Sequence, residues 1–358
     1  MQRVAAASAL LVMVAYASVI FRRRWLAAVP RILSKVITPP SALAARAAAE
    51  GWPDKALEPY IRLMTLSDAP PSMRGGVPAS HVSVSFGAQN DRLAYPGDVD
   101  EIEAVWTRRL AAAQASGGKL FDMSKFRLRR IHWADRRREH LCIELGLTSY
   151  REYIGTNQLP DDRRAALEAA GTSACGDAAG HLSNALGCET MLVTSDGMAV
   201  LLRRSAKVAG GVGLYNGPSG HPEPSHANAE WAARASDASA GASHKVLCAR
   251  VRDELFGSIL QEVHEETNVP MSALSEPRII GAMSDSAHKP DLLFVTTTTL
   301  DAAGVRTAYA AGAAEGWESD KLAFWPAARL AECACGPEAM PLTSVTRAAV
   351  ECFELLGR

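Results

Sequence analysis

Hydrophobic and polar positions follow regular periods along most of the chain after residue 76. Apolar residues that alternate with polar ones, or that run continuously for a few positions, predict β-strands. Such runs cover residues 81–86, 126–131, 141–145, 191–194, 198–203, 278–283, 291–298 and 322–325. The turn Ser195-Asp196-Gly197 predicts a hairpin between two of them. A helical period predicts helices at 99–113, at 253–269 and after Pro341. Helices interspersed with strands predict an α/β fold with a mixed sheet.

The pattern divides the chain into four parts. Residues 1–24 are predicted to form a transmembrane or targeting segment. Residues 25–75 are predicted to form a tether with one short helix, because Pro39-Pro40, Pro70-Pro71 and Gly75-Gly76 interrupt any longer element there. Residues 76–180 are predicted to form a small α+β N-terminal module. Residues 181–358 are predicted to form the larger α/β domain.

The first segment favours a membrane anchor. Residues 4–21 are uncharged and apolar and would span about 27 Å as a helix, close to the thickness of a bilayer's hydrocarbon core. Arg22, Arg23 and Arg24 follow at once and are expected to stay cytosolic, which places the folded domains in the cytosol. The alternatives are a cleaved signal peptide ending near Ala15-Tyr16-Ala17, an organelle-targeting segment, and a soluble cytosolic protein.

The composition fits a folded protein and excludes some partners. The chain has 358 residues, of which 48% are hydrophobic, enough to bury a sizeable core. Its net charge of −1 gives no basic excess, so we expect no nucleic-acid partner. Seven cysteines without close pairing, apart from Cys333 and Cys335, favour a reducing compartment over a disulfide framework.

The chemistry is concentrated near the end of the predicted helix at 253–269. Glu262, Glu265 and Glu266 stand at positions i, i+3 and i+4, so a helix brings their carboxylates together at its C-terminal end. Like charges repel there, and the helix dipole adds to the cost. A bound Mg²⁺ or Mn²⁺ would reverse that cost, because hard cations prefer oxygen ligands. The alternative is a solvated acidic face.

A Gly- and Pro-rich loop at residues 214–224 precedes this helix, and the pair resembles the motif of the Nudix hydrolases, G-x5-E-x7-R-E-U-x-E-E-x-G-U with U aliphatic. Three positions depart from that consensus. Gln261 replaces Arg, Asp253 replaces the first Glu, and Asn268 replaces the late Gly, which is a mild change in a left-handed position. Residues 221–252 form a long insertion where the consensus allows five residues.

Several blocks look like one branch of that family, the uridine diphosphate glucose (UDP-glucose) pyrophosphatases of animals. They are residues 147–157, residues 201–205, the loop 217–224, residues 254–256 and the pair Gln261-Glu262, with weaker similarity at 96–98, 102–110 and 120–128. The resemblance covers residues 89–326, which include a module that ordinary Nudix enzymes lack. It implies a Nudix α/β/α sandwich with a mixed sheet, preceded by a small α+β domain.

The resemblance also implies an activity. The expected reaction is magnesium-dependent hydrolysis of the pyrophosphate bond of UDP-glucose, and of UDP-galactose, to UMP and a sugar 1-phosphate, with Mn²⁺ as the alternative ion. The expected partner is a small nucleotide sugar. Two other functions stay open: a Nudix hydrolase of another nucleoside diphosphate derivative, and a catalytically silent nucleotide-sugar binding module, suggested by Gln261 and Asp253.

By resemblance, Glu262, Glu265 and Glu266 are the metal ligands, together with a backbone carbonyl of Ser219 or Gly220. Glu262 and Glu266 are also assigned to catalysis.

Three further residues are expected near the phosphates. Glu318 precedes a strand and matches a Glu of the family branch, in the region where Nudix enzymes often place a fourth carboxylate. The resemblance implies a general base or a metal ligand, and the alternative is a residue without a catalytic role. Arg203 and Arg204 end a strand and are expected to bind phosphate; the alternative is that they are ordinary surface charges. Neighbours on a strand face opposite ways, so at most one of them points inward.

Tyr150, Thr156 and Asn157 belong to the block most diagnostic of the branch. They are expected to contact the nucleotide or the sugar. The alternative is that this block forms a packed domain junction.

Overall fold

The computed structural model describes residues 36–356 except residues 68, 116, 209 and 230–241. The membrane or targeting segment predicted for residues 1–24 lies outside these residues. Within the described ranges, no helix is both long enough and apolar enough to cross a membrane.

The strands of the described residues are β1 (Val36–Ile37), β2 (Tyr60–Thr65), β3 (Val82–Phe86), β4 (Ser124–Trp133), β5 (Leu141–Ser149), β6 (Gly187–Val193), β7 (Met198–Arg204), β8 (Tyr215–Asn216), β9 (Ser219–Gly220), β10 (Arg278–Asp285), β11 (Pro290–Thr297) and β12 (Ser319–Pro326). The helices are α1 (Ser41–Glu50), α2 (Asp98–Ala115), α3 (Tyr150–Thr156), α4 (Asp161–Cys175), α5 (Ala242–Thr267), α6 (Ala302–Ala310), α7 (Leu330–Cys335) and α8 (Ser344–Glu354).

The larger sheet is mixed, as predicted. Its strand order is β1-β2-β10-β11-β6-β7-β12, with β8 paired to β7 and β9 paired to β6. Strands β11 and β6 run parallel, and their neighbours on either side run antiparallel. The smaller sheet has the order β3-β5-β4, with β3 parallel to β5. With α2, α3 and α4 it forms the small α+β unit, so the predicted fold class is confirmed.

Alternation along the strands assigns each face of the larger sheet to a different layer of helices. Leu292 and Phe294 belong to the core cluster that contains α5, whereas Leu293 between them belongs to the cluster that contains α7 and α8. Val200 and Ala199 of β7 divide in the same way. Helices therefore cover both faces of the sheet. Successive side chains of a strand point to opposite faces, and here both sets are buried.

Helix α5 is buried between the two sheets. Its residues Val251, Leu255 and Ile259 share one core cluster with Phe86 of the smaller sheet and Phe294 of the larger one. The boundary predicted between residues 180 and 181 lies between β5 of the smaller sheet and β6 of the larger one. The two sheets nevertheless share one hydrophobic core.

Residues 36–75 contain more structure than the tether predicted for 25–75. The strand β2 pairs with β10 inside the larger sheet, with Met64 opposite Ala282. Prolines on either side concealed this strand in the sequence, and a six-residue strand is stabilised by its neighbour in the sheet more than by local propensity.

Candidate metal centre

The last turns of α5 bring Glu262, Glu265 and Glu266 to one end of the larger sheet. The helix ends at Thr267, and Asn268 then adopts a left-handed conformation with φ of 58°. Its side-chain amide donates to Ala308 O at 3.0 Å. A residue that tolerates positive φ is what this position requires, so Asn replaces Gly here at little cost.

Glu262 lies directly against the backbone of the loop that follows β8. A Cβ atom at Gly220 would lie 1.8 Å from Glu262 Oε1, so position 220 accepts no side chain while Glu262 keeps its place. The backbone N–H of His221 donates to the same oxygen at 3.3 Å. Glycine at 220 is therefore required by a close approach between loop and carboxylate.

Glu266 is the most buried of the three acids, with 5% of its surface exposed. Its Oε2 atom is buried without a hydrogen-bond partner, and the Ser219 backbone N–H acts to lower its pKa. Burial, and then the negative charge of Glu262, holds its pKa well above the usual value. A buried carboxylate oxygen without a partner is unfavourable unless a cation or a proton neutralises it.

A fourth acid, Glu315, joins the cluster from the loop between α6 and β12. Oxygen atoms of Glu262, Glu265 and Glu315 all lie within 4.8 Å of one another. The Glu315 backbone N–H donates to Glu265 O at 2.9 Å, which fixes the loop on the helix end. Sequence reasoning missed Glu315. Its one signal is the spacing Glu315-x-x-Glu318 in a Gly-rich segment, which places two acids on one turn.

Burial and neighbouring negative charge raise the pKa of several acids in this region. Burial, and then the charge of Glu315, raises the pKa of Glu262 to about 8. Burial also raises the pKa of Glu315 and of Glu318, and each adds to the potential of the other acids. Carboxylate oxygens this close together, among them Glu262 and Glu315 with raised pKa values, have the composition and spacing of a site for a hard divalent cation.

Comparison with known proteins places the chain in a family. No protein-family model matches the chain. A human protein named uridine diphosphate glucose pyrophosphatase NUDT22 is 35% identical over 255 residues, which are 70% of this chain and 79% of that protein. Its mouse counterpart of the same name is 33% identical and covers 75% of this chain and 82% of its own length. Nudix hydrolase 9 of Arabidopsis thaliana is 32% identical over 70% of this chain and 80% of that protein.

The chain belongs to the Nudix hydrolase family. The resemblance drawn from the motif is thereby confirmed, and α5, which carries the motif residues 253–267, is called the Nudix helix. Two departures from the consensus now have a structural description. Asp253 is exposed and pairs with Arg252 at 2.7 Å, away from the carboxylate cluster. Gln261 donates from Nε2 to Glu265 Oε1 at 2.6 Å, so the residue that replaces the consensus Arg still supplies a hydrogen bond to a cluster acid.

The two arginines at the end of β7 have different surroundings, as strand alternation requires. Arg203 is exposed and pairs with Asp320 at 2.6 Å. Arg204 donates to Gly210 O at 2.9 Å, and its charge opposes the burial that raises the pKa of Glu318 and of Glu266. Of the two arginines, Arg204 is the one whose charge acts on these acids.

The block around residue 155 lies at the junction between the two sheets. Thr156 and Asn157 are fully buried. Thr156 Oγ1 accepts from Ser183 N at 3.0 Å, and Asn157 Nδ2 donates to Ala287 O at 2.8 Å. The Tyr150 ring stacks at 6.3 Å on Tyr153. The contacts of Thr156 and Asn157 favour the junction interpretation that the sequence left open, whereas Tyr150 contacts Tyr153 of its own helix.

A second acid that sequence reasoning missed lies behind the loop. Glu189 of β6 stands opposite Ser219 of β9, is 2% exposed, and has a buried Oε1 without a partner. Burial raises its pKa to about 8, although a hydrogen bond from Thr346 acts in the opposite direction. The available signal was a lone acid in the apolar run of residues 187–193, which is unusual for a strand buried on both faces.

Proposed function

We propose that this protein hydrolyses UDP-glucose with Mg²⁺ or Mn²⁺ to UMP and glucose 1-phosphate, and that it accepts UDP-galactose in the same way. Two observations carry the proposal. An oxygen of Glu266 is buried without a partner, and oxygens of Glu262, Glu265 and Glu315 lie within 4.8 Å of one another. The names of the human and mouse relatives support the choice of substrate. In this reaction a water oxygen bonds to one phosphorus atom and loses a proton. The bond from that phosphorus to the bridging oxygen breaks, and the bridging oxygen leaves with the other phosphate.

Glu262, Glu265, Glu266 and Glu315 would hold the metal, with a backbone carbonyl of Ser219 or Gly220 as a further ligand. Three features fit a hard dication: oxygen-only donors, an orphaned buried oxygen on Glu266, and a glycine where a side chain would fill the approach to Glu262. When bound, such an ion screens the diphosphate charge and lowers the pKa of a bound water.

The chain's own groups would then orient the reactants. Glu318 is half-buried and its pKa is raised by burial, while the Arg204 guanidinium acts to lower it. A carboxylate in that state is suited to accept a proton from the attacking water. Arg204 carries the positive charge nearest to Glu318, and we assign it to a phosphate oxygen, whose geometry suits a guanidinium.

The test is product analysis with the full chain. UDP-glucose, UDP-galactose, adenosine diphosphate ribose and a nucleoside triphosphate are each incubated with enzyme and MgCl₂, and the products are followed by phosphorus NMR. UMP and glucose 1-phosphate should form only with the metal. Glu266→Gln should reduce the rate by about 100-fold or more, since a metal site supplies several kcal/mol of transition-state stabilisation. The surface variant Glu276→Gln is the matched control and should keep the wild-type rate.

Two results would contradict the proposal. Faster turnover of adenosine diphosphate ribose or of the triphosphate would make UDP-glucose the wrong substrate. Binding of UDP-glucose without any metal-dependent product, unchanged by Glu266→Gln, would identify a catalytically silent binding module.

The membrane anchor at residues 4–21 stays a prediction. Fractionation of a full-length fusion, with and without residues 1–24, tests it. The anchor interpretation predicts that only the full-length form sediments with membranes, and it is wrong if both forms stay in the supernatant.

A further inference from the structure

The segment 219–223 lies along the Nudix helix. Its backbone makes two hydrogen bonds to carboxylates of α5: the His221 N–H donates to Glu262 at 3.3 Å, and the Glu223 N–H donates to Glu254 at 2.9 Å. The Ser219 N–H acts on Glu266, whose pKa it lowers. Two residues of extended chain advance about 6.6 Å, and four residues of helix advance about 6 Å, so the step from Glu266 to Glu262 matches the step from Ser219 to His221.

The hydrogen bond from Glu223 to Glu254 lies outside the carboxylate cluster. Glu254 lies two helical turns before the metal cluster and is 11% exposed, and it holds the far end of the segment. The backbone of Glu223 contacts Glu254, whereas its side chain pairs with Lys125 Nζ. Both partners are mostly buried, with 12% of Lys125 and 21% of Glu223 exposed. A partly buried pair of this kind resists separation more than a surface pair does.

Lys125 belongs to β4 of the smaller sheet, on the other side of the Nudix helix. That strand is firmly attached to the rest of the protein. The guanidinium of Arg127, two residues along, is fully buried and donates to Leu182 O at 3.1 Å and Ala179 O at 2.7 Å. The Leu186 N–H donates to Phe126 O at 2.8 Å, which joins β4 to the start of β6.

We infer that Lys125 is a positioning residue of the Nudix site. Through its ion pair with Glu223, the smaller sheet holds residues 219–223 in the register that sets Ser219 and Gly220 against Glu266 and Glu262. This inference rests on the proposed metal site. It explains what the N-terminal module contributes to the chemistry, although none of its residues lies in the carboxylate cluster.

The experiment compares four variants of the full chain with wild type: Lys125→Met, Glu223→Gln, the charge swap Lys125→Glu with Glu223→Lys, and Arg130→Met. Arg130 is the matched control, because it lies on the same strand and its guanidinium, 62% exposed, pairs with Glu144. Two quantities are measured without substrate. They are the hydrogen-exchange rates of the His221 and Glu223 amides, and the dissociation constant for Mn²⁺ by calorimetry.

We expect Lys125→Met and Glu223→Gln each to speed exchange at these amides about tenfold and to weaken Mn²⁺ binding about fivefold or more. The charge swap should return both quantities to within about twofold of wild type, and Arg130→Met should change neither. If Lys125→Met fails to fold, Glu223→Gln decides alone, since it lies in the loop and outside the smaller sheet.

Unchanged exchange in both single variants would overturn the inference, and so would faster exchange with wild-type Mn²⁺ affinity. Wild type that binds Mn²⁺ but does not cleave UDP-glucose would refute the proposed substrate and leave the inference intact. Wild type that binds no Mn²⁺ would refute the metal site, and with it the positioning role.

Discussion

Replacing Glu262 by Gln should stabilise the metal-free protein at alkaline pH while it removes metal-dependent activity. Burial, and then the charge of Glu315, raises the pKa of Glu262 from 4.5 to about 8. The unfolded chain therefore releases this proton near pH 4.5, whereas the folded chain retains it until about pH 8. Because the folded state binds more protons in this interval, stability falls as pH rises from 4.5 to 8 and stays low above it.

The size of the effect follows from the shift. One pKa unit corresponds to about 1.36 kcal/mol, so a rise from 4.5 to about 8 gives a ceiling of about 5 kcal/mol above pH 8. Structural relaxation and water penetration reduce such values, and we expect Glu262→Gln to gain about 2 kcal/mol or more at pH 8.5. The amide is uncharged and its oxygen can still accept the His221 N–H.

The assay is urea unfolding in a chelator at pH 5 and pH 8.5, for wild type, Glu262→Gln and the surface control Glu276→Gln. The gain should be below about 1 kcal/mol at pH 5, where the unfolded carboxyl is only partly ionised. Added MgCl₂ should stabilise wild type at pH 8.5 more than it stabilises Glu262→Gln. Equal free energies of unfolding for wild type and Glu262→Gln at pH 8.5 would refute the reasoning.

Three further changes test other contacts. Gly220→Ala places a methyl group 1.8 Å from Glu262 Oε1 and should abolish Mn²⁺ binding by calorimetry, whereas Gly257→Ala, with open space around it, should bind normally; normal binding by both would contradict the close approach. Arg127→Met removes buried donors from three backbone carbonyls and should cost about 3 kcal/mol or more in urea unfolding, with a cost under about 1 kcal/mol counting against it. Glu315→Gln should raise the Mg²⁺ concentration for half-maximal activity about tenfold, and an unchanged value would remove Glu315 from the ligand set.

Features that depend on neighbours along the chain could be predicted from the sequence. The acids Glu262, Glu265 and Glu266 share a helix face because of their spacing, and the residues of β11 alternate between two helical layers for a similar reason. Both patterns are local, so their period survives in the folded chain.

Features that depend on contacts between distant segments could not be predicted in the same way. Glu315 reaches the carboxylate cluster from a loop far along the chain, and β2 is a strand because β10 lies beside it. Alternation predicted that at most one of Arg203 and Arg204 points inward, and the sequence alone does not indicate that the charge of Arg204 acts on Glu318. A Gly-Thr-Asn sequence is equally compatible with a surface turn and with the buried junction that Thr156 and Asn157 form.

The central claim is that the acids at the end of the Nudix helix bind a divalent cation. The most direct measurement is anomalous diffraction from crystals grown with MnCl₂. We expect a manganese peak within bonding distance of Glu262 and Glu266, facing the loop at Gly220. A manganese peak elsewhere, with no density beside these two carboxylates, would contradict the account.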